Sequence, residues 1–324
     1  MNRQQVLNCS FSSWYTNFIE HTIESEIIKL PQSFIDYLHA DGIYLPRSKD
    51  ELQCQQNTRE EPCKNAPSFP ELQVKVERAI KQLGGAVFPK LNWSAPRDAS
   101  WIAFGNSLKC QTFNDIILLL KSSDFVTHDL TQPFETCSEE DTAAGQVQYE
   151  LVLRRWKEIV PSMEFRVFVA NQEVVAISQR DISSFFPCIP PMENDLTYEI
   201  VNFHDRYVSC SFPDAHYVFD VFRKSEGEYL ILDFNPFNEV TDPLLFTWTE
   251  LRGARDGLPQ YAGDCQFRCI QEEAGVQPSA YLAYSMPTDF VDLTTGTDAA
   301  KLVDFLKMEG QKQQGDSSDE DGQR

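Results

Sequence analysis

The spacing of hydrophobic residues predicts an amphipathic helix in the first third of the chain. Its apolar positions recur every three or four residues, at Leu72, Val76, Ala79, Ile80 and Leu83. Ser68 and Glu71 match a capping box at its start, and Pro70 suits its first turn. Gly84 and Gly85 predict its end, because glycine readily adopts the left-handed conformation that terminates helices.

Other segments predict strands and further helices. Thr112 and Asp115 match the cap of a helix that runs through Lys121. Apolar runs predict strands at residues 86–92 and 148–156, and hairpins at 164–169 with 174–179 and at 217–223 with 229–234. Helices are also expected at 196–207 and 298–308. The irregular alternation of helices and hairpins favours an α+β fold over a doubly wound parallel sheet.

The second hairpin places a carboxylate inside each of its apolar strands. A buried carboxylate costs several kcal/mol unless a cation or hydrogen-bond donors satisfy it. With Glu226–Gly227 as a two-residue turn, the predicted pairs are Ser225 with Glu228, Phe222 with Ile231, and Asp220 with Asp233. Cross-strand partners lie about 5 Å apart at Cβ on one face of a sheet, so the two aspartates are predicted neighbours.

Asn235 completes a possible metal site, because it lies two residues beyond Asp233 and therefore on the same face. Two carboxylates and an amide oxygen are hard ligands that suit Mg²⁺, whose sites usually add phosphate oxygens and water. The alternative is a surface hairpin with ordinary polar positions, which would leave the flanking Phe, Leu, Ile and Val side chains exposed.

Three other positions are candidates for binding phosphate. Glu164 and Arg166 share a face of the first hairpin, where a two-residue turn would set Gln179 opposite Glu164; they form either a surface salt bridge or a phosphate-binding pair. Lys90 lies in an apolar strand, which a phosphate or a salt bridge explains equally well. The loop at 94–98 could cover phosphates through its backbone N–H groups and Arg97.

Charge and cysteine content limit the choice of partner and compartment. The 324-residue chain has a formal charge of −21; four acidic and two basic residues after Gly310 account for −2 of it, which leaves −19. This charge disfavours nucleic acid and suits either a basic protein partner or solubility alone. Nine cysteines without a two-residue spacing indicate reduced thiols in the cytosol or nucleus. No signal-peptide pattern is expected, and the longest aliphatic run, 116–120, is too short to cross a membrane.

Several longer motifs resemble the cell division cycle protein 123 family. The resemblance runs from residues 9–15 to 289–293 and is strongest at 88–99, 121–125, 149–156, 178–181 and 232–249. It implies an ATP-grasp fold in which two lobes hold ATP–Mg²⁺ between them. The sequence offers no Ser-His or Cys-His arrangement for a nucleophile, so no catalytic residue is expected. Asp233 stands where ATP-grasp ligases carry a glutamate two residues before the metal-binding asparagine, and this counts against ligase chemistry.

The resemblance assigns roles to particular side chains. It implies that Asp220, Asp233 and Asn235 bind Mg²⁺. It implies that ATP is bound by these three residues together with Lys90, Trp93, Ala95, Arg97, Arg154, Arg155, Glu164, Arg166 and Arg180. Arg154 and Arg155 would lie at the adenine hinge.

The composition along the chain predicts its organisation, and the resemblance implies a function. We expect an N-terminal lobe at 1–147 with an exposed loop at 48–68, a C-terminal lobe at 148–309 with the metal site, and an acidic disordered tail at 310–324. The family implies an ATP-binding chaperone that binds the gamma subunit of eukaryotic translation initiation factor two, promotes assembly of its heterotrimer and supports translation initiation and cell-cycle progression. We expect the protein to be a cytoplasmic monomer. The alternative is an ATP-grasp ligase or kinase with a small-molecule or peptide acceptor.

Overall fold

The computed structural model describes residues 1–46, 67–137, 147–257 and 265–278. Two compact units divide the chain, Met1–Ser279 and Ala280–Arg324, and every described residue belongs to the first. The predicted helix at 298–308, the acidic tail at 310–324 and all but the last two residues of the predicted loop at 48–68 lie outside the described residues.

Helices and strands alternate irregularly, and the predicted α+β class is confirmed. The helices are α1 Arg3–Asn8, α2 Phe11–Tyr15, α3 Gln32–His39, α4 Pro70–Gln82, α5 Phe113–Lys121, α6 Asp124–Thr131, α7 Glu193–Phe203 and α8 Trp248–Arg255. The strands are β1 Ser25–Lys29, β2 Val87–Lys90, β3 Glu150–Arg155, β4 Glu164–Ala170, β5 Glu173–Gln179, β6 Tyr217–Ser225, β7 Glu228–Pro236 and β8 Gln266–Arg268.

The predicted helix ends are confirmed in part. Thr112 and Asp115 form a reciprocal capping box at the start of α5, as expected. Pro70 occupies the first turn of α4, and Gly84 and Gly85 follow it with positive φ angles of 95° and 89°. The capping box at Ser68 is wrong. The helix begins one residue later than that box requires, so Phe69 is the N-cap and no side chain caps the helix.

The first sheet has the order β1-β3-β2 and is antiparallel. Side chains alternate across its central strand: Leu151 and Leu153 pack with apolar residues of α4 and α5, whereas Val152 faces a second core. The predicted lobe division between 147 and 148 stays a prediction, although β3 belongs to this first sheet and the sheet therefore ends after Arg155.

The second sheet has the order β7-β6-β4-β5-β8, antiparallel except for the β5–β8 pair. One face contributes Phe165, Val167 and Phe219 to the second core. The other face packs Phe168 against Trp248 of α8. Both faces of the central strands are therefore covered, and a charged side chain on them must find a partner within the protein.

The N-terminal segment connects the two sheets. Trp14 and Phe18 are each 1% exposed, and their rings lie 5.2 Å from the ring of Phe234 on β7. On the other side, the Phe11 N–H donates to the Asn92 carbonyl just beyond β2. Residues between Phe11 and Phe18 therefore contact both the segment after β2 and strand β7.

Candidate functional site

The β6–β7 hairpin brings Asp220 and Asp233 opposite each other, as predicted. The pairing of Ser225 with Glu228 is also confirmed, but Phe222 faces Leu230 and not Ile231. Two bulges explain the difference: Lys224 is an extra residue on β6, and Leu232 is an extra residue on β7. The shifts cancel, so the register at the two aspartates agrees with the simple count.

Two arginines neutralise Asp220, which is 6% exposed. The Nε and Nη2 atoms of Arg166 donate to its two carboxylate oxygens, both at 2.8 Å, and Nε of Arg180 lies 3.4 Å from Oδ2. Burial by itself would raise the pKa of Asp220, but the charges of Arg166 and Arg180 outweigh it and lower the pKa to about 2. Asp220 is therefore a buried anion at neutral pH.

Lys90 neutralises Asp233 and links the two sheets. Its Nζ atom donates to both carboxylate oxygens of Asp233 at 2.7 Å. The lysine side chain is 2% exposed, and that of the aspartate is 25% exposed. Burial lowers the pKa of Lys90, and the charge of Asp233 opposes this effect. The salt bridge expected as one explanation of Lys90 is thus present, and phosphate binding by the same side chain stays a prediction.

Asn235 supplies a buried amide beside these aspartates. It lies two residues after Asp233 on β7, and its Nδ2 atom is buried without a hydrogen-bond partner. Rotation of the amide by 180° would place its oxygen at that position, where a cation would satisfy it. The oxygen donors of Asp220, Asp233 and Asn235 fit Mg²⁺ in their chemistry. Among the described residues no three His, Cys, Asp or Glu side chains form a metal-binding group, so the amide is needed for a third ligand.

The first hairpin orients Arg166 toward this site. The predicted pairing of Gln179 with Glu164 is wrong, because a bulge at Val175 shifts the register and sets Gln179 opposite Phe165. The surface salt bridge between Glu164 and Arg166 does not form, because the Arg166 guanidinium is buried against Asp220. Burial raises the pKa of Glu164, and the charges of Arg97 and Arg180 oppose this effect, so both arginines lie near that carboxylate.

The 94–98 loop is held by two buried aspartates. Asp129 of α6 accepts hydrogen bonds from the Ser94 N–H at 2.7 Å and the Ser94 hydroxyl at 2.8 Å. Burial raises the pKa of Asp129 to about 6, although Ser94 and Lys90 oppose the shift. Asp98 accepts from the Ser123 hydroxyl and the Asp124 N–H, both at 2.6 Å. The loop is therefore fixed to α6 at both of its ends.

The other predicted residues on this loop and strand have separate positions. Arg97 is half-buried, and its charge helps to lower the pKa of Asp220. The Ala95 carbonyl accepts the Arg97 N–H at 2.7 Å. The Trp93 indole N–H donates to the Val6 carbonyl at 2.8 Å, so the ring faces the N-terminal segment.

Arg154 and Arg155 point to opposite faces of β3. Arg154 is 5% exposed and donates to the Leu232 carbonyl at 2.6 Å, at the bulge of β7. Arg155 instead forms a surface ion pair with Glu24 at 2.6 Å. The structure therefore brings Arg154 to the candidate site and does not bring Arg155 there.

Phe11 is a site residue that the sequence did not reveal. Its buried ring lies 5.5 Å from Nζ of Lys90 and 5.4 Å from the guanidinium carbon of Arg154, within the range of cation–π attraction. The aromatic residues at 11, 14, 15 and 18 contact one another or the second sheet, but their spacing alone says nothing about the cations above them.

In the part of the chain that the structure describes, none of the helices is long and apolar enough to cross a membrane.

Comparison with known proteins identifies the family. The family model described as D123 matches residues 14–294. A Xenopus laevis protein named translation initiation factor eIF2 assembly protein is 46% identical over 98% of this chain and 100% of its own length, and a Xenopus tropicalis protein of the same name is 47% identical over the same shares. The solved structure of Cdc123 from Schizosaccharomyces pombe is 35% identical, covers 84% of this chain and 99% of its own, and superimposes with a TM-score of 0.71. The resemblance seen in the sequence motifs is thus confirmed, and the chain belongs to the D123 family.

Proposed function

We propose that this protein is an ATP-binding assembly factor for translation initiation factor eIF2. The observation that carries the proposal is the near full-length identity of 46–47% with two relatives that are named for eIF2 assembly. The alignments cover the full length of both relatives, so neither relative contains an additional domain to which its named role could belong.

The charged cluster between the sheets supports ATP–Mg²⁺ as the ligand. Five cationic side chains gather there in a chain of formal charge −21: Lys90, Arg97, Arg154, Arg166 and Arg180. Such donors suit the oxygens of a polyphosphate. A bound Mg²⁺ would neutralise phosphate charge, and Asp220, Asp233 and Asn235 are the residues that would hold it. We therefore propose that the two sheets form an ATP-grasp clamp.

The Lys90–Asp233 pair suggests how the site changes when it fills. Lys90 satisfies both carboxylate oxygens of Asp233. A phosphate group would compete for the three N–H donors of Lys90, and Asp233 would then be free to bind a metal ion. Asp220 would keep Arg166 and share its remaining lone pairs. The exchange leaves no buried charge unpaired, which avoids a penalty of several kcal/mol.

The partner and setting belong to the same proposal. We propose that the gamma subunit of eIF2 is bound directly, that the protein acts as a cytoplasmic monomer, and that it supports cell-cycle progression through translation initiation. The formal charge of −21 favours a basic face on the partner. ATP–Mg²⁺ would stabilise the arrangement of the two sheets that this partner prefers, which is a population shift by a ligand.

Reconstitution tests the proposal. Separately purified eIF2 subunits are mixed with wild-type protein, with the Asp233→Asn variant or with the control Glu239→Ala, each with ATP–Mg²⁺, and heterotrimer is measured by size-exclusion chromatography. We expect wild type and Glu239→Ala to accelerate assembly and Asp233→Asn to fail. Assembly that proceeds equally without the protein would refute the assembly role, and ADP release that depends on an added acceptor would favour a ligase or kinase instead.

A further inference from the structure

Helix α6 is attached to both ends of the 94–98 loop by two buried aspartates. At one end, Asp98 accepts hydrogen bonds from Ser123 and from the first N–H groups of α6, at Asp124 and Phe125. At the other end, Asp129, in the last turn of α6, accepts both hydrogen bonds of Ser94. The two aspartates are 3% and 4% exposed. A carboxylate at the start of a helix is also favoured by the helix dipole.

The helix therefore sets the distance between the ends of the loop. Asp124 and Asp129 are five positions apart, which corresponds to about 7.5 Å along a rigid helix. Ser94 and Asp98 are attached at these two points. Within the loop, the Arg97 N–H donates to the Ala95 carbonyl at 2.7 Å, which fixes the backbone at the arginine. The backbone at Arg97 is thus held in place through α6.

Arg97 depends on this backbone support, because the hydrogen bond that holds it to another described residue is made by its backbone N–H. Its loop nevertheless begins directly after Lys90, where the Ser94 carbonyl accepts the Leu91 N–H at 2.9 Å, so Arg97 lies on the segment next to the Lys90–Asp233 pair of the candidate site. Arg166, in contrast, is held by two hydrogen bonds to Asp220. Of these two arginines, Arg97 is the one whose placement must come from the loop.

We propose that Asp98 and Asp129 are positioning residues for the nucleotide site, which act through α6 and the 94–98 loop to aim Arg97 at the phosphates. The inference rests on the proposed binding of ATP–Mg²⁺. Neither aspartate touches the nucleotide; each holds a segment of backbone. Burying two carboxylates costs more desolvation free energy than burying neutral acceptors would. In this proposal, that cost is offset because Arg97 is already held in position to bind the phosphates.

A double-mutant cycle between Asp129 and Arg97 tests the inference, with ATP–Mg²⁺ affinity measured by isothermal titration calorimetry. The Arg97→Ala variant should bind about 10- to 100-fold more weakly, because a charge-assisted contact is lost. The Asp129→Ala variant should bind about tenfold more weakly, because Arg97 is misplaced. In the double variant, the second substitution should weaken ATP–Mg²⁺ binding by less than about a further threefold, since both substitutions remove the same contact of Arg97 with the phosphates.

Two further variants control for stability. Asp129→Asn keeps an acceptor for the Ser94 N–H and should bind ATP more tightly than Asp129→Ala. Asp115→Ala removes the carboxylate that accepts from the N–H groups of Gln111 and Thr112 at the start of α5, away from the loop, and should leave affinity unchanged. If Asp129→Ala does not fold, the cycle is run with Asp129→Asn and Asp98→Asn.

The outcomes separate this inference from the proposed function. Wild-type protein that binds no ATP–Mg²⁺ would overturn both. Wild-type binding combined with unchanged affinity in Asp129→Ala, or with losses that multiply in the double variant, would overturn only the positioning role. A loss in Asp115→Ala as large as that in Asp129→Ala would also overturn it, because general destabilisation would then account for both.

Discussion

The Asp233→Asn substitution isolates the ion pair at the centre of the candidate site. Lys90 donates to both oxygens of Asp233 at 2.7 Å, and its side chain is 2% exposed. Asparagine keeps one acceptor oxygen but removes the charge. Lys90 must then either remain a buried ammonium without its counter-ion or release its proton, and each choice lowers the free energy of unfolding.

The magnitude of this loss has two limits. Loss of a charge-assisted hydrogen bond gives a lower limit of about 1.5–3 kcal/mol. Release of the proton at pH 7 gives an upper limit of about 5 kcal/mol, from about 1.4 kcal/mol for each of roughly 3.4 units below the ordinary lysine pKa. Because the Asp233 side chain is 25% exposed, solvent screens part of the pair, and we expect about 3 kcal/mol.

Urea unfolding of ligand-free protein at several pH values provides the assay. The pKa of Lys90 is already lowered by burial and should fall further without Asp233. The folded variant then binds fewer protons than the unfolded chain, so its stability should rise as the pH increases from 7 toward 10. The control Glu239→Ala removes an exposed ion pair with Arg252 and should change nothing measurable. A loss below about 1 kcal/mol, or one independent of pH, would refute the reasoning.

Three further results follow from the same structure. The Asp220→Asn variant should be less stable than wild type at pH 7 in urea unfolding, and the difference should shrink by about 1 kcal/mol between pH 5 and pH 3. The reason is that a folded-state pKa of about 2 contributes stability that is lost as the pH falls. A difference that grows on acidification would contradict the assigned pKa. The Arg155→Ala variant should bind ATP–Mg²⁺ with wild-type affinity by calorimetry, since the Arg155 side chain pairs with Glu24 on the other face of β3. Weakened binding would show that Arg155 belongs to the site. The Thr112→Ala variant should lose about 1 kcal/mol in thermal unfolding through the lost cap of α5, whereas an unchanged midpoint would contradict the capping box.

The pairing of the two aspartates could be predicted because turn chemistry fixes hairpin register. Gly227 has a φ of 70°, and Asn171 and Gln172 have φ angles of 54° and 63°, so both predicted turns form where the sequence indicated. The bulges could not be predicted, since an extra residue reflects how a strand twists against its neighbours. The bulge on β5 made the predicted partner of Gln179 wrong, whereas the register shifts of the two bulges on β6 and β7 cancel at Asp220 and Asp233.

The part played by the N-terminal segment could not be predicted from the sequence. Its contacts join residues far apart in the chain: the Thr22 hydroxyl donates to the Ile231 carbonyl, 209 positions away. Phe11 lies beneath two cations for the same reason, and no local period reveals such a contact. In the sequence, Asp98 and Asp129 are likewise ordinary polar positions, because their hydrogen bonds form only when α6 packs against the 94–98 loop.

The central claim is that Asp220, Asp233 and Asn235 bind a metal ion that accompanies ATP. Calorimetric titration of ATP with Mg²⁺ and again with excess EDTA, for wild type and for Asn235→Ala, tests it most directly. The account predicts that Mg²⁺ tightens ATP binding to wild type but not to Asn235→Ala. In excess EDTA, the variant and wild type should bind ATP with the same, weaker affinity. Wild-type affinity that is the same with and without Mg²⁺, or a full gain retained in Asn235→Ala, would contradict it.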